Sequence, residues 1–204
     1  MEDSMKSLVN FATCVACVLI LASICVSVHS VRADNAPTIP AWIRPGLVVV
    51  YDADSAFVTN GRFSQGIRMV MTTKVESSSS AQVSGITSLQ TVGSPIGGTH
   101  SWNCNAGGYC TSDSSGLNGQ FWVDPANPTA SKHGANGEPY TVKGTGPYTL
   151  NGKTWTGTMM VYENAASGVQ LVCTFDSKTG LILQYSESSP SEQVHTYFRS
   201  MSGN

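Results

Sequence analysis

The sequence predicts an all-β protein: a curved antiparallel meander sheet, an open barrel or sandwich, behind an N-terminal hydrophobic leader. Three observations carry this. Past the leader, apolar and polar residues alternate with period two over short runs, as in Ile67–Val75 and Val169–Phe175. Clusters of glycine, asparagine, proline and serine separate those runs, and Asn151-Gly152 is the strongest short hairpin signal, because both of its turn positions need positive φ. No stretch of about twelve residues beyond the leader shows helical spacing.

Residues 1–33 read as a signal peptide. Leu8 to Val28 carries no charge and centres on V-L-I-L-A, Val18 to Ala22. The segment ends in V-R-A, with Val31 and Ala33 where signal peptidase takes small residues; a second cut follows Ser30. The uncharged run is also long enough to span a bilayer, so an uncleaved anchor is the alternative. Lipid attachment at Cys25 fails on chemistry, since Ile24 is bulky where such sites take a small residue. Cleavage implies an exported chain, periplasmic, at the cell surface or extracellular, with no membrane association beyond the leader.

The loss of Lys6, Arg32, Glu2 and Asp3 with the leader keeps the formal charge at −2. Charged residues are 12% of the chain, against about 25% in a typical domain. The surface is therefore built from Ser, Thr, Asn, Gln and Gly, and no basic stripe is left for nucleic acid. The remaining length suits one domain, 46–204, which can bury about 70% of its unfolded surface without metal or dense disulfides.

The elements follow in order. Residues 34–45, D-N-A-P-T-I-P-A-W-I-R-P, form an extended lead-in, because three prolines exclude helix. Pro45-Gly46 turns the chain into L-V-V-V-Y, a buried strand rich in β-branched residues. Residues 52–66 read as turn or loop around Asn60-Gly61. Ile67–Val75 and 81–92 are strands parted by four serines, Ser77–Ser80, with Gly85 marking a bulge. Residues 93–116 are a glycine-rich loop. F-W-V at 121–123 opens a short element that D-P-A-N-P-T stops, and 126–138 is loop. Tyr140–Lys143 and Pro147–Leu150 are short strands. Lys153–Glu163, Val169–Phe175, the L-I-L-Q-Y-S run and Gln193–Arg199 complete a consecutive meander, with Gly180 in a left-handed turn position.

Three cysteines survive processing. Cys14 and Cys17, spaced C-x-x-C, leave with the leader, and so does Cys25. Cys104 and Cys110 are expected to pair as a disulfide that pins the 93–116 loop: an oxidising compartment favours it, and the glycines between them let the chain fold back. Zinc would want two close pairs, which His100, Cys104, Cys110 and His133 do not supply, so neither a metal site nor a cofactor is expected. Cys173 shares a face with Val169, Leu171 and Phe175 and reads as a buried, inert thiol.

No G-x-S-x-G, H-E-x-x-H or phosphate-loop motif occurs. Asp52-x-Asp54 lacks the rest of a calcium loop and reads as a solvated turn. His195 reads as a surface or rim histidine. The aromatics say more. Ordinary β-core packing is one reading of them; in the other, Trp102, Tyr109, Trp122, Tyr140 and Trp155 are the candidate ligand-binding residues, lining a groove or barrel mouth for a lipid or other amphipathic small molecule.

The stretch V-Q-L-V-C-T-F-D-S-K-T-G-L-I-L-Q-Y, Val169 to Tyr185, resembles hairpins of exported bacterial β-proteins, including the lipoprotein-carrier family with its curved half-barrel sheet. W-I-R-P-G-L-V-V-V-Y, Trp42 to Tyr51, is similar to the opening of other exported bacterial β-rich proteins. The resemblance implies a fold and carries no site residue across. The expectation is a non-enzymatic exported domain that takes an apolar or amphipathic ligand, or a partner protein, on its concave sheet face. Two alternatives stand beside it. One is a secreted hydrolase using the loop-rich 100–138 region, where Ser112, Ser114, Ser115, Asp113, Asp124, His133 and Glu138 gather. The other is a structural surface protein without a small ligand.

Overall fold

The computed structural model describes residues 38–59, 62–63, 66–95, 97–106, 110–112, 121–130, 132–133 and 138–203. The leader, the start of the lead-in and Tyr109 lie outside the described residues. Among those described, the strands are β1 (Val48–Thr59), β2 (Arg62–Phe63), β3 (Ile67–Ser78), β4 (Gln82–Thr91), β5 (Gly97–Asn105), β6 (Cys110–Ser112), β7 (Lys132–His133), β8 (Glu138–Pro139), β9 (Thr141–Leu150), β10 (Lys153–Asn164), β11 (Val169–Asp176), β12 (Ile182–Ser188) and β13 (Glu192–Ser202). One turn of 3-10 helix, Pro128–Ala130, is the helical content described.

The all-β expectation holds, with a refinement of topology. The main sheet runs β6-β5-β4-β3-β1-β13-β12-β11-β10-β9, entirely antiparallel, with β2 hung on β1 and β7–β8 paired apart. It is therefore two meanders, one from each half of the chain, zipped together where β1 meets β13. Its ends, β6 and β9, do not pair with each other, so the sheet is open.

Alternation sets one face inward. Val49, Tyr51, Ala53 and Ser55 on β1, Thr73 and Val75 on β3, Val83 and Thr87 on β4, and Trp102 and Cys104 on β5 are buried. Their sequence neighbours are half-buried or exposed. The buried hydroxyls of Thr73 and Thr87 satisfy each other at 2.9 Å. Gly85 lies under Trp102: a Cβ there would stand 2.5 Å from the indole and 2.1 Å from Lys74 O. The bulge anticipated at Gly85 sits opposite it, between Val75 and Ser77 of β3.

Three sequence expectations change. Residues 52–59 continue β1 instead of forming a loop, because β13 and β3 pair along both sides of it as far as Ser55, and β13 alone to Phe57. The 93–116 stretch, read as a loop, contains β5 and β6. Gly98, His100, Trp102 and Cys104 do alternate inward, but glycines and small polar residues hide the pattern that β4 enforces by pairing. The stretch 140–150, read as two strands, holds one, β9. It runs through Gly144 and Pro147, made continuous by its ladder to β10 with a bulge opposite Met159/Met160.

The inner face packs into two clusters. The first gathers Ile43 and Leu47 of the lead-in with Tyr51, Val83, Trp102, Phe121, Trp122 and Leu183. The second holds Val123, Tyr140, Met160, Tyr162, Leu171, Cys173 and Phe175. Phe121–Val123 acts as a wedge between them. Val123 N donates to Gly180 O at 2.8 Å and Ile182 N to Phe121 O at 3.0 Å. Those bonds lie on the side of β12 away from β11, where β13 no longer pairs. Tyr51 Oη spans the gap, donating to Ile182 O at 2.9 Å. Trp42 Nε1 ties the lead-in to the same corner through Thr179 O at 2.7 Å.

Candidate functional site

Beyond the wedge, strand register builds a surface on the inner face from two cross-strand rows. One row runs Ile67–Ser55–Val194–Glu187–Leu171–Tyr162 across β3, β1, β13, β12, β11 and β10. The next runs Met69–Ala53–Thr196–Tyr185–Cys173–Met160–Val142 and reaches β9. The floor is sealed: Ala53, Ser55, Met160, Tyr162, Leu171 and Cys173 are buried. The flanks are not. Ile67 and Val142 are each 40% exposed and Phe57, one step beyond Ser55, is 43% exposed. Met69, Val194, Thr196 and Tyr185 are half-buried. On β1, β3 and β13, Phe57, Ile67, Met69 and Val194 thus form an apolar strip open to solvent on the face that elsewhere is core, while Val142 is exposed separately on β9.

Its polar groups are few and grouped. Tyr185 donates its hydroxyl to the exposed Glu187 carboxylate, two residues on along the same side of β12. Burial pushes the Tyr185 phenol above its usual range, and the Glu187 carboxylate adds to this. Tyr140 is shifted upward too, chiefly by burial, with Tyr185, Cys173 and Glu187 contributing. Burial holds the Cys173 thiol up at about 12. The two phenols and the thiol stay protonated at neutral pH, so they meet the strip as hydrogen-bond donors beside the Glu187 carboxylate.

The opposite face is polar and cross-linked. Arg68 Nε meets Asp54 Oδ1 at 3.4 Å and Arg199 Nη1 meets Asp52 Oδ1 at 3.3 Å, so the Asp52-x-Asp54 pair lies on a strand, not in a solvated turn. Register also aligns Asp54, His195 and Ser186 on β1, β13 and β12, the order of a hydrolytic triad. The relay is not formed: Asp54 engages Arg68, and the buried His195 Nδ1 has no hydrogen-bond partner while its ring stacks on Tyr197. No group of three metal-ligating side chains occurs among the described residues.

The predicted site residues separate. Trp102 and Trp122 are buried in the first cluster, joined edge-to-face through Phe121 at 6.0 and 5.0 Å. Tyr140 belongs to the second cluster, beside Tyr185. Trp155 sits at the β9–β10 tip, edge-on to Phe198 at 5.9 Å and under Lys153 Nζ at 3.6 Å. Tyr109 lies outside the described residues. Of the four described, Tyr140 adjoins the open strip and the three tryptophans do not. The strip's own Ile67, Val194, Tyr185 and Glu187 were missed; alternation marks their side of each strand, but only pairing puts them together. Cys104 and Cys110 face each other across β5 and β6 and form the expected disulfide. In the region weighed for a hydrolase, Asp124 caps a turn, accepting from Ala126 N at 2.9 Å and Thr38 N at 3.3 Å. Asp113, Ser114 and Ser115 lie outside the described residues, as do the side chains of Ser112, His133 and Glu138.

Among the described residues no helix is long and apolar enough to cross a membrane. No family model matches the chain. No curated protein matches it either. Among solved structures it is similar to a DUF1329 family protein from Desulfovibrio piger ATCC 29098, with 8% identity and a TM-score of 0.30 over 78% of this chain and 86% of that one.

Proposed function

We propose that this is an exported, non-enzymatic β-domain that holds the apolar part of an amphipathic small molecule on its inner sheet face. The observation that carries the reading is the open strip of Phe57, Ile67 and Val194 on the adjacent strands β1, β3 and β13, continuous with the core and left exposed at one end of it. A site of this kind is mostly apolar with a few placed polar groups, and Tyr185 and Glu187 are those groups here. The Cys104–Cys110 disulfide supports an oxidising compartment.

Titration with N-phenyl-1-naphthylamine, a neutral apolar fluorophore, tests it. Saturable binding at micromolar concentration is expected. Ile67→Glu and Val194→Glu should each weaken it about tenfold while far-UV circular dichroism stays unchanged, since each sets a charge where about 1–3 kcal/mol of apolar contact had formed. Absence of saturable binding, or indifference to both substitutions, overturns the proposal.

A further inference from the structure

The strip's charges are one-sided. Its inward positions on β1, β3, β10, β11, β12 and β13 include no lysine or arginine, and their ionisable carboxylates are Glu187 and Glu192. Cations near the sheet are engaged elsewhere: Arg68 and Arg199 hold Asp54 and Asp52 on the other face, and Lys153 lies over Trp155 at the β9–β10 tip. Asp52 and Asp54 on the outer face are thus paired with guanidinium groups. Glu187 has only the neutral hydroxyl of Tyr185 as its described partner.

We infer that the ligand of this strip has a cationic head, an amine or quaternary ammonium, on an apolar tail. This rests on the reading that the strip binds an amphiphile at all. The tail lies over Ile67 and Val194, and the head meets the Glu187 carboxylate beside the ring of Tyr185. A carboxylate next to an aromatic ring suits such a head twice over, through charge and through the ring's quadrupole. An anionic head meets the same carboxylates with repulsion. Each of these effects is modest at an exposed site, but they act in opposite senses on the two heads.

Calorimetric titration at pH 7 and low salt with decyltrimethylammonium, decyl glucoside and decanoate, each below its micelle concentration, separates the possibilities. The ammonium is expected to bind about tenfold tighter than decanoate, with the glucoside between them. Glu187→Gln should narrow that gap to two- or threefold, and added salt should narrow it in the wild type. Equal binding of all three, tighter binding of decanoate, or a gap that survives Glu187→Gln overturns the head-group assignment and leaves the apolar strip standing. No binding of any of the three removes the strip reading itself, and this inference with it.

Discussion

Cys173 shows how a single position follows from alternation. Val169, Leu171, Cys173 and Phe175 share a face, and that face is core. The thiol is fully enclosed and held up at about 12, so almost no thiolate exists at pH 8. N-ethylmaleimide should therefore leave Cys173 unmodified in the native protein and label it completely in guanidinium, as read from its own peptide by mass spectrometry. Labelling at comparable rates in both states would mean the strand opens. This residue was legible because its neighbours on the strand define its environment. Trp122 was not. It lies beside a proline-rich stop, and nothing local indicates that Phe121–Val123 pairs with the start of β12, some sixty residues on, to become the most enclosed aromatic pair of the molecule. The same holds for Glu187, whose place beside Val194 and Leu171 is a matter of register.

Turns are the best-read elements. Asn151 and Gly152 both adopt positive φ, at 52° and 73°, and Gly180 does so at 77°. The two glycines nevertheless do different work. Gly152 faces open space, whereas a Cβ on Gly180 would stand 2.0 Å from Val123 O, against the wedge. Gly152→Ala should cost about 1 kcal/mol, the backbone penalty alone. Gly180→Ala should cost several times as much, because the wedge must also be displaced. The midpoint shift in urea compares the two. Equal costs would show that Phe121–Val123 yields freely.

A pair of hairpins makes the same point about local chemistry. In S-S-A-Q and S-P-S-E, Ser79 and Ser189 each accept at Oγ from the backbone of the second and third residues onward, at 3.3 and 3.0 Å and at 3.3 and 3.1 Å. Each serine N–H also closes the turn at 2.8 Å on Gln82 O or Glu192 O. The cluster Ser77–Ser80 announced the first reversal, and the second uses the same device, a side chain that mimics the backbone. The β5–β6 pair was harder to see, since its outward residues are glycine, threonine, serine and asparagine, and such residues read as loop until a neighbouring strand fixes them.

For the whole molecule, the all-β class, the open sheet and the disulfide were legible from periodicity, punctuation and cysteine spacing. The join between the halves was not, because β1 and β13 recognise each other from opposite ends of the domain. Buried phenols add a property of the ensemble. Tyr51, Tyr140 and Tyr185 are all shifted upward, with burial the leading cause. In the unfolded chain they would ionise near pH 10. Below that, both states hold the protons and stability does not depend on these groups. Above it, the unfolded state sheds protons the folded state keeps, so stability falls as pH rises. Absorbance at 295 nm and circular dichroism, followed together from pH 8 to 13, should show a first group of tyrosines ionising with the fold intact. The rest should ionise only as the fold is lost. Ionisation of every tyrosine before any loss of ellipticity would contradict this.

The seam between β1 and β13 also orders events in time. A ribosome releases β1 early and β13 after the other strands described, so the centre of the sheet cannot close until β13 has emerged. Until then the first meander has a bare edge along β1, and the contacts that span the greatest sequence distance form last and slowly. A polypeptide delayed in this way remains threadable until β13 joins it.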